Sequence, residues 1–310
     1  MTYDDYRAAR KTVTTPFGEF AYAEVGEGPP AVFVHGLFMS GYMWHRTFAG
    51  VSGERRCIAY NLPVHGGSDV ADDQPLDLEA NVAMLEAFCD ALGLDRLDLV
   101  ANDTGGAVAQ GLAVRSPERI RTLTLTNCEA RDWMPSKHEL GQLVKKMAEE
   151  GQLAQLVVAN HSDLAAARQG VFASTVQFPD RISDDELRGI MEPHQATLEG
   201  ARRIERFARS LAPEQMEALE PGLRELRVPT LAVWGTGDPI FPLELAEWLR
   251  DTIPGLDEVV EIDGGLLFWP WERGDELVPH LLRHWRAGPR TAAASAPAAE
   301  ASSSSANASS

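Results

Sequence analysis

The chain has 310 residues, 44% of them hydrophobic, with 28 Lys+Arg against 46 Asp+Glu and a formal net charge of −18. That length can bury one large core or two smaller ones. So acidic a surface repels phosphate backbones and anionic lipid, which argues against nucleic acid or a membrane as a partner. Cys57, Cys89 and Cys128 are far apart and odd in number. Neither a disulfide framework nor a metal spacing is expected, and a reducing, cytoplasmic setting fits. The opening MTYDDYRAARK has no apolar stretch of the kind a secretory signal needs. No run reaches the roughly 18 apolar residues of a membrane span.

Along the chain, short β-branched, apolar runs alternate with helical patterns. AVFVHG, RCIAYNLP, LDLVAN, TLTLTNC, PTLAVWG and VVEIDG read as strands, each closing in Gly, Pro, Asn or Cys. Runs apolar throughout are strands covered on both faces, as in a parallel sheet. Between them DLEANVAMLEAFCDALG sets Leu78, Val82, Leu85, Phe88 and Leu92 at helical spacing and stops at Gly93. GGAVAQGLAVRS and LELAEWLRDTI read as helices too. This alternation predicts an α/β doubly wound, mostly parallel sheet. Strand signals vanish over residues 131–222, where amphipathic helices such as KHELGQLVKKMAEEGQLAQLVVAN and GARRIERFARSLAPEQMEAL predict a helical insertion. The expected organisation is therefore a core of residues 1–130 and 223–287, a helical cap of 131–222, and a disordered Ala/Ser-rich tail of 288–310.

Open α/β sheets place their chemistry at the carboxyl ends of strands. There Ala101-Asn102-Asp103-Thr104-Gly105 fits the pattern small-x-nucleophile-x-Gly, a sharp strand-to-helix turn that lifts one side chain above the sheet. The plainer alternative is that Asp103 only caps the following helix. Three more strand ends add context: His35-Gly36 in VFVHGLFMSGYMW, the turn PVHGGSD, and Asp238 in WGTGDPIFP.

Together these motifs resemble the α/β-hydrolase family from Val32 to about Trp285, with a helical cap at the usual place. Because Asp103 replaces the elbow serine, the resemblance points to the branch of haloalkane dehalogenases and epoxide hydrolases, which use an aspartate nucleophile. The resemblance implies that Asp103 attacks a small organic substrate and that the backbone N–H groups of Thr104 and Leu37 form an oxyanion hole. It implies that His35 and Gly36 shape the turn that brings Leu37 there, and that Asp238 is the third acid, with Glu129 a second position where relatives keep it. No cofactor or metal is implied.

The pattern fails at the catalytic histidine. In DGGLLFWPWERGDEL its position holds Leu267, which can neither accept nor donate a proton. A serine nucleophile needs that imidazole. An aspartate with an ordinary pKa near ~3.9 is expected to be ionised without it. Hydrolysis of the resulting ester would then need a relocated base, for which the cap residue His194 is the first candidate. All five tyrosines precede the cap, so the ring-protonating tyrosines of epoxide hydrolases are absent. Thr104 and Leu37 stand where dehalogenases keep halide-binding groups, leaving Trp133 to offer an indole N–H. Asn102, Leu267 and Trp269 are candidate pocket or turn residues. Three functions stay open: a hydrolase, a lyase, isomerase or cyclase using Asp103 as a base, and an inactive small-molecule-binding relative.

Overall fold

The computed structural model describes residues 1–287; the expected disordered tail lies outside them. Among these residues nine strands form one sheet. They are β1 (Arg10–Thr15), β2 (Gly18–Val25), β3 (Pro30–Val34), β4 (Arg56–Tyr60), β5 (Asp69–Val70), β6 (Leu97–Asn102), β7 (Ile120–Thr126), β8 (Thr230–Gly235) and β9 (Leu256–Ile262). The order across the sheet is β1-β2-β4-β3-β6-β7-β8-β9, with β5 beside β2. From β4 to β9 every pairing is parallel, while β1, β2 and β5 pair antiparallel.

The six apolar runs correspond to β3, β4, β6, β7, β8 and β9. β6 and β8 are buried at every residue, as strands covered on both faces must be. The antiparallel strands β1, β2 and β5 are not among these runs, and β1 is an edge strand. Its residues RKTVTT are all half-buried or exposed, so no apolar run marks them. The predicted helix after PLD spans Leu78–Ala91, capped by Asp77, whose carboxylate accepts from the Ala80 N–H at 2.9 Å. Gly93 follows with φ +65°, the left-handed turn that ends a helix.

Between β7 and β8 the described residues form helices and no strands. This segment lies against the carboxyl end of the sheet and is fastened there by polar contacts. The Gln195 side-chain amide donates to the Phe38 carbonyl at 2.6 Å, and the Ser40 hydroxyl donates to the Gly189 carbonyl at 2.8 Å. Gln177 and Phe178 N–H groups donate to the Glu272 carboxylate at 2.7 and 2.8 Å. The helix Leu198–Ser210 buries Ile204, Phe207 and Ala208, as its amphipathic pattern requires. No helix among the described residues is long and apolar enough to cross a membrane.

Candidate active site

The turn after β6 has unusual backbone geometry. Asp103 adopts φ 52°, ψ −138°, outside the regions L-residues favour. Such a conformation costs on the order of 1–3 kcal/mol and persists only where its surroundings hold it. Here the Asp103 N–H donates to the Asn127 carbonyl at 2.8 Å, and the Gly106 N–H donates to the Asp103 carbonyl at 2.6 Å. The helix Thr104–Arg115 begins at once, and Gly105 lets it press on β3: a β-carbon there would overlap the carbonyls of Val34 and His35. The Asp103 side chain makes no bond to the N–H groups of Gly105 or Gly106, the ones a capping aspartate engages. The capping alternative is thereby set aside.

The carboxyl instead turns toward the loop after β3, where the nearby backbone N–H groups of Leu37 and Thr104 favour its charged form. Gly36 makes room, since a β-carbon at 36 would overlap the Asp103 carboxyl itself. His35 secures this loop. Its Nε2 accepts from the Leu62 N–H at 3.0 Å, which leaves the proton on Nδ1 to donate to the Gly36 carbonyl at 2.8 Å. Burial pushes its pKa down to about 4, so the ring is neutral.

Asp103 borders a cavity of about 90 Å³. The walls are mainly hydrocarbon, including Leu140, Val144, Leu211, Phe241 and Phe268, and Leu267 also faces in. No histidine is among the residues lining it. His194, the first candidate for a relocated base, instead accepts from the Gly67 N–H through Nδ1 at 3.4 Å. His138 accepts from the Leu140 N–H at 3.3 Å as a helix cap. His65 holds the Pro63 carbonyl at 2.9 Å.

What surrounds Asp103 is acid. Glu129 also lines the cavity and is 2% exposed. Its Oε1 accepts from the Thr104 hydroxyl at 3.0 Å, and Oε2 is buried without a partner. Asp238 accepts from the Ile240 N–H and from the Asn127 amide, both at 2.9 Å. Burial pushes Glu129 and Asp238 each up to about 7. The Asp103 carboxyl is pushed well above the usual range, first by burial and next by the charges of Glu129 and Asp238. An aspartate ionised as if in water is therefore the wrong description. Burial and mutual charge hold Asp103 and Glu129 toward their protonated forms.

Other sequence candidates have different positions. Asn102 donates to the Thr126 hydroxyl at 3.0 Å and to the carbonyls of Asn127 and Leu267 at 3.2 and 3.1 Å, tying β6, β7 and the Leu267 loop together. The Trp133 indole N–H donates to the Ile240 carbonyl at 2.8 Å, so it does not serve the cavity. Trp269 is fully buried, and its indole N–H donates to Asn127 Oδ1 at 3.0 Å. Neither tryptophan is among the cavity residues. Asn127 has no motif that marks it in the sequence. It joins Asp103, Asp238, Trp269 and the Gly235 N–H, and its only sequence signal was a buried polar residue ending an apolar strand.

Comparison with known proteins agrees with this architecture. The sequence profile of the alpha/beta hydrolase fold matches residues 29–269, and the chain belongs to that family. It is 28% identical over 248 residues to a 2-hydroxy-6-oxo-2,4-heptadienoate hydrolase of Pseudomonas putida, covering 74% of this chain and 79% of that protein. A haloalkane dehalogenase of Agrobacterium fabrum is 34% identical over 117 residues, 36% of this chain and 38% of its own. A cis-3-alkyl-4-alkyloxetan-2-one decarboxylase of Shewanella oneidensis is 25% identical over 283 residues, covering 84% of this chain and 83% of its own. Among solved structures, a haloalkane dehalogenase from Bradyrhizobium elkani superposes with a TM-score of 0.75 at 22% identity, covering 90% of this chain and 97% of that one.

Proposed function

We propose that this chain is a hydrolase that captures a small, mainly apolar organic molecule as an ester of Asp103, beneath a lid formed by residues 131–222. One observation carries this reading. An aspartate is held at φ 52° on a strand-to-helix turn, with its carboxyl at the edge of a hydrocarbon cavity and two backbone N–H groups nearby. A merely structural aspartate has no need of that conformation or that opening. In the ionised form, one Asp103 oxygen attacks carbon while the other stays by the N–H groups of Leu37 and Thr104. The same two donors then stabilise the oxyanion formed when water adds to the ester. The relatives named above include hydrolases and a dehalogenase, which is consistent with this chemistry.

Electrospray mass spectrometry of the intact chain after exposure to 1-bromobutane or 1,2-epoxybutane tests the reading. A transient gain of one alkyl group, mapped to the peptide containing Asp103 and absent in Asp103→Asn, is expected. An adduct that survives Asp103→Asn would overturn it.

A second reading keeps the site but not the ester. The absence of imidazole from the cavity lining, together with a carboxyl pair that holds a proton, suits a lyase or isomerase in which Asp103 moves a proton. The similarity to a decarboxylase is in keeping with it. Turnover in ¹⁸O-water with no label entering Asp103 would favour this second reading.

A further inference from the structure

We infer that Glu129 is itself the acid and the base of this site, acting directly on the leaving group and on water, and that the site suits a leaving group that departs on oxygen. The inference rests on the Asp103 reading and adds to it a catalytic residue and a substrate class.

Four observations place Glu129 in this role. It lines the same cavity as Asp103. Its Oε1 is fixed by the hydroxyl of Thr104, the residue next to Asp103, and its backbone carbonyl accepts from the Gln110 amide at 2.7 Å. Its Oε2 is buried and unpartnered, whereas buried carboxyl oxygens are otherwise paired. Finally, no histidine, lysine or arginine is among the cavity residues, so nothing else there can move a proton to and from Asp103.

The leaving group follows from the donors. A departing halide needs N–H or O–H groups to receive its charge. The N–H groups of Leu37 and Thr104 already serve Asp103, and the Thr104 hydroxyl serves Glu129. The Ser136 hydroxyl donates to the Ile240 carbonyl at 2.7 Å, and the Thr175 hydroxyl donates to the Val171 carbonyl at 3.0 Å. An oxygen leaving group needs a proton instead, and the Asp103–Glu129 pair holds one. Burial raises the proton affinity of both carboxyls, and the proton they hold must sit on Glu129 for Asp103 to attack.

The steps balance. Starting from ionised Asp103 and protonated Glu129, an Asp103 oxygen bonds to carbon as the carbon–oxygen bond of the substrate breaks. The departing oxygen takes the Glu129 proton. Glu129, now a carboxylate, removes a proton from water as the hydroxide adds to the Asp103 carboxyl carbon. Collapse breaks the bond from that carbon to the alkyl oxygen, which leaves as an alcohol with the proton returned by Glu129. Asp103 then carries one proton, shared with Glu129, and the pair is restored.

The test compares 1,2-epoxybutane with 1-bromobutane in the wild type and in Glu129→Gln, by intact mass and by product formation in ¹⁸O-water. Glu129→Gln should slow epoxide capture by about 10²-fold or more. Capture of 1-bromobutane, which needs no proton, should be slow in both proteins and not reduced by the substitution. The butyl ester should persist in Glu129→Gln, while the wild type clears it and gains ¹⁸O in the Asp103 side chain. Thr104→Val, which frees Glu129 Oε1 but keeps its carboxyl, should slow the epoxide reaction less. If Glu129→Gln opens the epoxide and clears the butyl ester at wild-type rates, the role given to Glu129 is overturned while that of Asp103 stands. If neither probe forms an ester on Asp103 in any of these proteins, the Asp103 reading falls and takes this inference with it.

Discussion

Strand β6 carries one buried aspartate near its start and leads into another just past its end, and their surroundings are opposite. Asp98 is fully buried and enclosed by cations. Arg55 Nε donates to it at 2.9 Å, Arg121 Nε at 2.8 Å and the Thr122 hydroxyl at 2.7 Å. Arg55 in turn stacks over Trp285, 4.8 Å from the ring centroid. Asp103, five residues on, is also buried but borders the cavity, with two carboxyls and two backbone N–H groups for neighbours. The first arrangement neutralises charge where the chain needs none. The second sets a carboxyl pair beside an apolar cavity with no cation among its lining residues, which raises the proton affinity of both groups.

This contrast can be broken in measurable ways. The largest effect is expected from Asp98→Ala, which leaves Arg55 and Arg121 without their shared partner. Stability by urea denaturation should fall by about 3–5 kcal/mol, toward the lower figure because both arginines reach water. Capture chemistry at Asp103 should survive in whatever fraction stays folded.

The next effect is on pH dependence. Glu129 binds its proton more tightly folded, up to about 7, than its ordinary 4.5. Its contribution to stability is complete below pH 4.5 and is lost as pH rises toward 7 and beyond. Between pH 5 and 8 the wild type should lose roughly 2–3 kcal/mol from this group. Glu129→Gln should reduce the slope, leaving the part that Asp238 and Asp103 contribute with the same sign, and an unchanged slope would show that Glu129 is not protonated in the folded chain.

Gly36→Ala comes third. The new methyl group meets the Asp103 carboxyl, so a stability loss of about 1–3 kcal/mol should accompany loss of ester formation in the mass measurement. The smallest effect belongs to Trp133→Phe, which removes the N–H bond to Ile240 and should cost about 1 kcal/mol. Capture of 1-bromobutane should be unaltered. A marked drop would mean that the indole turns to hold a halide.

Much of this molecule was legible in order along the chain. The apolar runs ending in His35-Gly36, Asn102-Asp103 and Asp238 define strands and their carboxyl ends, because a strand buried on both faces must be apolar throughout. The small residues around Asp103 marked the turn, because a sharp strand-to-helix reversal excludes bulk. The edge strand β1 and the hub Asn127 were not legible. One is polar because solvent covers it, and the other is a single amide whose partners come from three distant segments. Local spacing determined that an aspartate would stand on this turn. Only the tertiary structure decided the chemical state of that aspartate. Burial depth and the charges of Glu129 and Asp238 arise from residues 26 and 135 positions away, and a carboxyl's proton affinity depends on what lies beside it in space.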